Sequence, residues 1–159
     1  MSHICDASTV INLINGGVFC SIIANPTLTF YIGPIVEEEC LQHLTEIACA
    51  KSKGYLQTLD DSTLPGSLFL DLLEAHDLGA GETECIAFSI HTGFTICCDD
   101  RRARQVAEAL SPPIRVVGSL GLLRIAVAQG VMSRQDAFAA YQRMITFGGF
   151  LPSIDEEAF

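Results

Sequence analysis

The sequence predicts an α/β protein, a three-layer α/β/α sandwich around a mainly parallel central sheet. Two observations carry that expectation. Short apolar runs alternate with segments of helical spacing along the chain, which implies a parallel sheet covered on both faces. The 159 residues also show no linker, repeat or charge block that would divide them, so 1–159 is expected to form one domain with a sizeable core.

The elements follow in order. His3-Ile4-Cys5 reads as a short strand, followed by helical spacing from Ala7 to Ile14. Leu28 to Ile32 is a second strand. Pro34 then opens a helix, Ile35 to Ala50, at a position where its missing N–H is tolerated. Ser52 to Ser67, with Gly54, Asp60-Asp61, Pro65 and Gly66, reads as a surface excursion. Ser67 to Ala75 and Glu82 to His91 are expected as helices. Phe94 to Cys98 is a compact apolar strand. Asp100 to Leu110 is an amphipathic helix with Ala103, Val106, Ala107 and Leu110 on one side, ended by Pro112-Pro113. Ile114 to Val117 is a further strand, Ser119 to Ala128 a helix, and Ser133 to Ile145 a last helix starting at a serine cap.

Composition narrows the function classes. Hydrophobic residues make up 49% and charged residues 18%, the profile of a compact domain rather than a disordered or collagen-like chain. With 9 Lys+Arg against 19 Asp+Glu the net charge is −10, which excludes a protein that grips nucleic acid through basicity alone. A nucleic-acid substrate would need something local, such as bound cations, to overcome that surplus. The cysteines at 5, 20, 40, 49, 85, 97 and 98 lack any paired zinc-type spacing and sit among Ile, Leu, Phe and Ala. They are expected to be reduced core residues. Met1 to Asp6 lacks the features of an export signal, and no apolar run approaches the roughly 20 residues needed to span a bilayer. The expectation is a soluble, cytoplasmic protein.

The carboxylates fall at informative places. Asp6 ends the first strand and Asp99-Asp100 end the Phe94 strand. Ligands of open parallel sheets bind at the carboxyl ends of strands, although an Asp there also simply caps the next helix. On the helix starting near Glu82, the residues Cys85, Ile86, Ser89 and Ile90 share one side, and Glu82 projects into that arc while Glu84 is expected to point to water. Glu82 also sits in a first turn, where a carboxylate favours the helix dipole. In Glu37-Glu38-Glu39, Glu39 lies on the edge of the Val36, Cys40, Leu44, Ile47 stripe, and Glu37 is possible from geometry alone. Gly79-Ala80-Gly81 is not a dinucleotide loop, because the third glycine would fall at Glu84 and no strand precedes it.

These segments together resemble the PIN-domain ribonucleases, in the branch related to VapC-type toxins. The resemblance rests on Asp6-Ala7-Ser8 after the first strand, Pro34-Ile35-Val36-Glu37-Glu38-Glu39, Gly81-Glu82-Thr83-Glu84-Cys85-Ile86-Ala87, Asp99-Asp100-Arg101-Arg102-Ala103-Arg104, Gly118-Ser119-Leu120-Gly121-Leu122-Leu123 and the tail Gly148-Gly149-Phe150. It implies an acidic quartet of Asp6, Glu39, Glu82 and Asp100, with Asp99 as auxiliary, Ser8 beside the first acid, and Glu84 as fallback for Glu82. One departure is Cys98, where many members carry Thr or Ser that can orient the site. The resemblance further implies Mg²⁺ or Mn²⁺ held by these oxygens and hydrolysis of RNA phosphodiesters to 5′-phosphate and 3′-hydroxyl ends. Arg101, Arg102, Arg104 and Arg124 lie near the proposed edge and are candidates for the RNA backbone, with plain solvation as the alternative. A small antitoxin protein and homodimerisation are the partners the resemblance implies.

Overall fold

The computed structural model describes all residues, Met1–Phe159. Strands β1 (Ser2–Cys5), β2 (Thr29–Ile32), β3 (Leu56–Thr58), β4 (Thr95–Cys97) and β5 (Val116–Val117) form one sheet in the order β3-β2-β1-β4-β5, with every pairing parallel. The helices are α1 (Ala7–Asn15), α2 (Phe19–Ile23), α3 (Pro34–Glu39), α4 (Leu44–Ser52), α5 (Gly66–Ala75), α6 (Ala80–Thr92), α7 (Arg101–Ala109), α8 (Ser119–Ala128) and α9 (Arg134–Thr146). Helix α6 packs on β1 and β4 with α3, α5 and α7 beside it, whereas α1, α2, α8 and α9 pack together as the other layer. The expected α/β/α sandwich is the fold observed.

The centre of the sheet is dry. Ile4, Phe30, Ile32 and Leu56 on the strands are buried with Val10, Leu13, Ile86, Phe88, Leu122 and Leu123 from the flanking helices. Burial of such apolar area at roughly 25 cal/mol per Å² is the main term holding the layers together. No helix is long and apolar enough to cross a membrane.

Four departures from the expectations stand out. The helix over Ile35–Ala50 is two helices: α3 ends at Glu39, a 3₁₀ turn spans Leu41–His43, and α4 follows. The pattern Val36, Cys40, Ile47 survives because the connecting turn is itself helical in sense, but Leu44 of that stripe is exposed. The Ser52–Ser67 excursion contains β3, an edge strand with only Leu56 buried and therefore no alternation to read. Helix α2 is an unforeseen five-residue helix, too short to show a period. All seven cysteines are free, yet Cys20 is exposed and Cys49 only half-buried, so the core reading holds for five.

Because β1 leads to β2 and β3 on one side and the chain then crosses to β4 and β5 on the other, β1 and β4 meet where the strand order reverses. The crevice beyond the carboxyl ends of such strands is where an open α/β sheet binds ligands. Asp6 and Asp99-Asp100 stand there.

Candidate active site at the β1–β4 edge

Asp6 follows β1 directly, its N–H bonded to the Cys97 carbonyl at 2.9 Å, so the strand pairing itself sets its place. It caps α1, and Oδ2 accepts the Ser8 N–H at 3.2 Å and the Ser8 hydroxyl at 2.5 Å. Ser8 Oγ in turn accepts the Asp99 N–H at 3.1 Å, joining the ends of β1 and β4. The departure at Cys98 is compensated: its Sγ donates to Asp6 Oδ2 at 3.4 Å. Burial and the charge of Asp6 push the Cys98 thiol up, so it stays a protonated donor. Asp6 is 3% exposed, and that burial raises its carboxyl above the usual range despite the Ser8 and Cys98 bonds.

Asp100 caps α7 through Oδ1, which accepts the Ala103 N–H at 2.8 Å. Glu82, in the first turn of α6, reaches back to the Gly79 N–H with Oε2 at 2.9 Å. Glu39, the last residue of α3, accepts the Gly81 N–H through Oε1 at 3.0 Å. Each of these three carboxylates spends one oxygen on a helix N-terminus and keeps the other outside any protein hydrogen bond. The Glu82 carboxyl is raised first by burial, then by the negative charges of Asp100, Asp6 and Glu39, against the Gly79 bond. Glu82 therefore lies within electrostatic reach of Asp6, Glu39 and Asp100, the other three acids named by the resemblance. No Lys or Arg pairs with any of them: the ion pairs join Lys51 to Glu37, Arg102 to Asp77 and Arg104 to Glu108.

Asp6 and Glu82 also line a common small hollow of about 10 Å³ with Cys85 and Cys98, the scale of a single water. As the side chains stand, no three His, Cys, Asp or Glu groups are close enough together to grip one ion. The donor set itself is all carboxylate oxygen and without an ion-paired Lys or Arg, the ligand chemistry that suits a hard divalent ion.

Two acids behave differently. Asp99 spends both oxygens: Oδ1 accepts the Ser119 N–H at 2.8 Å, and Oδ2 accepts Asn12 Nδ2 at 2.8 Å, Thr9 Oγ1 at 3.4 Å and the Ser119 hydroxyl. It latches α1 and the N-terminus of α8 to the end of β4. Glu84, expected to face water, is 2% exposed. Its two oxygens accept the Ile35 and Val36 N–H groups, each at 3.1 Å, capping α3 from outside. The helical wheel failed there because α6 is buried almost all round, with α3 packed on the side assigned to solvent. Glu37 is paired with Lys51, which leaves Glu39 as the member of its run that meets α6.

The four arginines separate. Arg102 pairs with Asp77 at 3.0 Å, Arg104 donates to the Cys98 carbonyl at 3.0 Å, and Arg124 Nε donates to the Ala158 carbonyl at 2.8 Å. Arg101 is exposed, has no ion-pair partner and lines a 370 Å³ hollow with Ser8, Asn12, Asp99, Asp100 and Phe150. Asn12, Thr9 and Ser119 were not foreseen as part of the site. The available signal was two polar residues, Thr9 and Asn12, three apart on the apolar face of α1.

Fold and site together define a doubly wound α/β protein whose switch-point carboxylates have no ion-pair partner. The family model described as PIN domain matches residues 2–154, and the chain belongs to the PIN-domain family. No curated protein and no solved structure matches the chain significantly. PIN domains are typically nucleases that act on RNA, and they generally bind divalent metal ions.

Proposed function

We propose that the protein is an endoribonuclease dependent on Mg²⁺ or Mn²⁺, the cation held by Asp6, Glu39, Glu82 and Asp100. What supports the reading is that Glu82 lies within electrostatic reach of Asp6, Glu39 and Asp100, that no Lys or Arg is ion-paired to any of the four, and that Glu39, Glu82 and Asp100 each keep one uncommitted oxygen. When bound there, the cation supplies charge neutralisation and water activation for phosphodiester hydrolysis.

The remaining steps belong to the chain. Ser8 and Cys98 fix the rotamer of Asp6 through their donors to Oδ2. Asp99 serves as an auxiliary that aligns the β4 end through α1 and α8, leaving Asp100 to face the substrate. Arg101 meets the RNA backbone at the rim. Arg102, Arg104 and Arg124 are secondary backbone contacts, each already engaged elsewhere on the protein.

The biological role proposed is the toxin of a cytoplasmic toxin–antitoxin pair, working as a homodimer and restrained by a small antitoxin whose Arg or Lys approaches the carboxylates. Growth unaffected by inducing the wild type alone favours a housekeeping RNA-processing nuclease instead. A silent binding or scaffold module is the other reading, favoured by the open spacing of the carboxylates.

The biochemical test is direct. Labelled single-stranded RNA is incubated with the protein and Mn²⁺ or Mg²⁺, and the product ends are mapped. Cleavage leaving 5′-phosphate and 3′-hydroxyl ends is expected, abolished in Asp100→Asn. Intact RNA with every cation, or equal cutting by Asp100→Asn, overturns the reading.

A further inference from the structure

The turn after α9 carries two aromatic side chains that the core does not use. Phe147 is 67% exposed and Phe150 94% exposed, the latter the most exposed large apolar residue of the chain. Free energy favours burying such rings, so two left exposed on one short turn point to a contact surface. The turn is anchored. Gly148 has φ of 90°, a conformation side chains rarely adopt, and a Cβ at Gly149 would collide with Asn12 Oδ1 and the Met144 carbonyl.

That anchoring places the rings beside the acids. Asn12, against which Gly149 packs, is the residue whose amide holds Asp99. Phe147 and Phe150 line the same 370 Å³ hollow as Ser8, Asp99, Asp100 and Arg101. Phe150 also borders two neighbouring hollows, of about 360 and 470 Å³, both reaching Asp99 and Arg104. Phe150 is thus shared by three depressions that all reach Asp99 at the end of β4.

We infer that Phe147 and Phe150 form a stacking platform for the unpaired nucleobases flanking the scissile phosphate, with Arg101 contacting the adjoining phosphate. The inference rests on the nuclease reading and adds to it the residues of this chain that would hold the substrate's bases. Several features of the site select this occupant. A ring face binds any base without reading its edge, and an exposed guanidinium lacking a carboxylate partner is available for phosphate. A duplex hides its base faces, so the same platform discriminates against paired RNA.

The chain has no tryptophan, which gives the test a clean reporter. Phe150→Trp is titrated with a single-stranded RNA hexamer and with the same hexamer made abasic, with Ca²⁺ as supporting cation. The expected result is fluorescence quenching by the base-bearing strand alone. In parallel, Phe147→Ala with Phe150→Ala is expected to lose about tenfold in affinity for the base-bearing strand and none for the abasic one. Both substitutions are on exposed side chains, and an unchanged unfolding midpoint verifies the fold. RNA cleavage by the wild type with Mn²⁺ is measured alongside. Cleavage present but no base preference and no quenching overturns the platform alone and assigns the rings to a protein partner. Absent cleavage overturns the nuclease reading and the platform with it.

Discussion

The contact between α3 and α6 has two ends, and a glutamate of each helix caps the start of the other. At one end Glu84 of α6 gives both oxygens to the α3 N-terminus, in the dry interior. At the other, Glu39 of α3 gives one oxygen to the N–H of Gly81 in the first turn of α6. A glycine makes room each time, because a Cβ at Gly33 would strike Glu84 and one at Gly81 would strike Glu39. The geometry is nearly reciprocal, and the chemistry is not. Glu84 is consumed by the fold, whereas Glu39 keeps an oxygen to offer beside Glu82, Asp6 and Asp100. The same division separates the adjacent Asp99 and Asp100. Under the proposed function, an acid can serve a ligand only where the protein's own donors have not used both of its oxygens.

That contrast orders the expected effects. Asp100→Asn should reduce RNA cleavage at least about 100-fold, as loss of an oxygen ligand from a catalytic cation site does, while Asn keeps the α7 cap. Circular dichroism and a cleavage assay report the two halves of that outcome. Glu84→Ala should cost about 3 kcal/mol by urea unfolding, since two buried N–H groups lose their acceptor. Glu39→Ala should cost under about 1 kcal/mol in the same assay. Equal losses would break the comparison.

The pH dependence follows from burial. The carboxyls of Asp6, Glu82 and Glu84 are all raised in the folded state, with burial the first cause in each. A raised carboxyl stabilises the fold below its unfolded value, and that contribution is lost as pH rises through the folded value. The urea midpoint should therefore fall between mildly acidic pH and pH 8. Asp6→Asn should flatten that slope and be more stable than wild type at pH 8, by on the order of 1 kcal/mol. Gly81→Ala is expected to act on the cation site and hardly on the fold. It should shift stability by under about 1 kcal/mol yet weaken cation binding about tenfold, because it displaces Glu39 and leaves Glu84 alone.

Much of this arrangement was legible in the sequence. Asp6 and Asp99-Asp100 announced themselves by standing between an apolar strand and a helical segment, and α8 fell over the residues expected. What escaped was set by contacts distant in sequence. Nothing local says that Lys51 pairs with Glu37, or that Gly81 receives Glu39 forty-two residues away. Glu84 was misplaced because a wheel assumes one buried face, and α6 is wrapped by the sheet on one side and by α3 and α5 on the others. The thiol of Cys98 looked like a lost hydroxyl, and only its approach to Asp6 reveals the donor. Strand β3 owes its existence to pairing with β2 rather than to a pattern of its own.

Calorimetric titration of Mn²⁺ into the wild type, Asp100→Asn and Glu84→Gln tests the central claim most directly. Saturable binding to the wild type, lost in Asp100→Asn and retained in folded Glu84→Gln, is the predicted result. A wild type that binds no Mn²⁺, or an Asp100→Asn that binds it as tightly, would contradict the account.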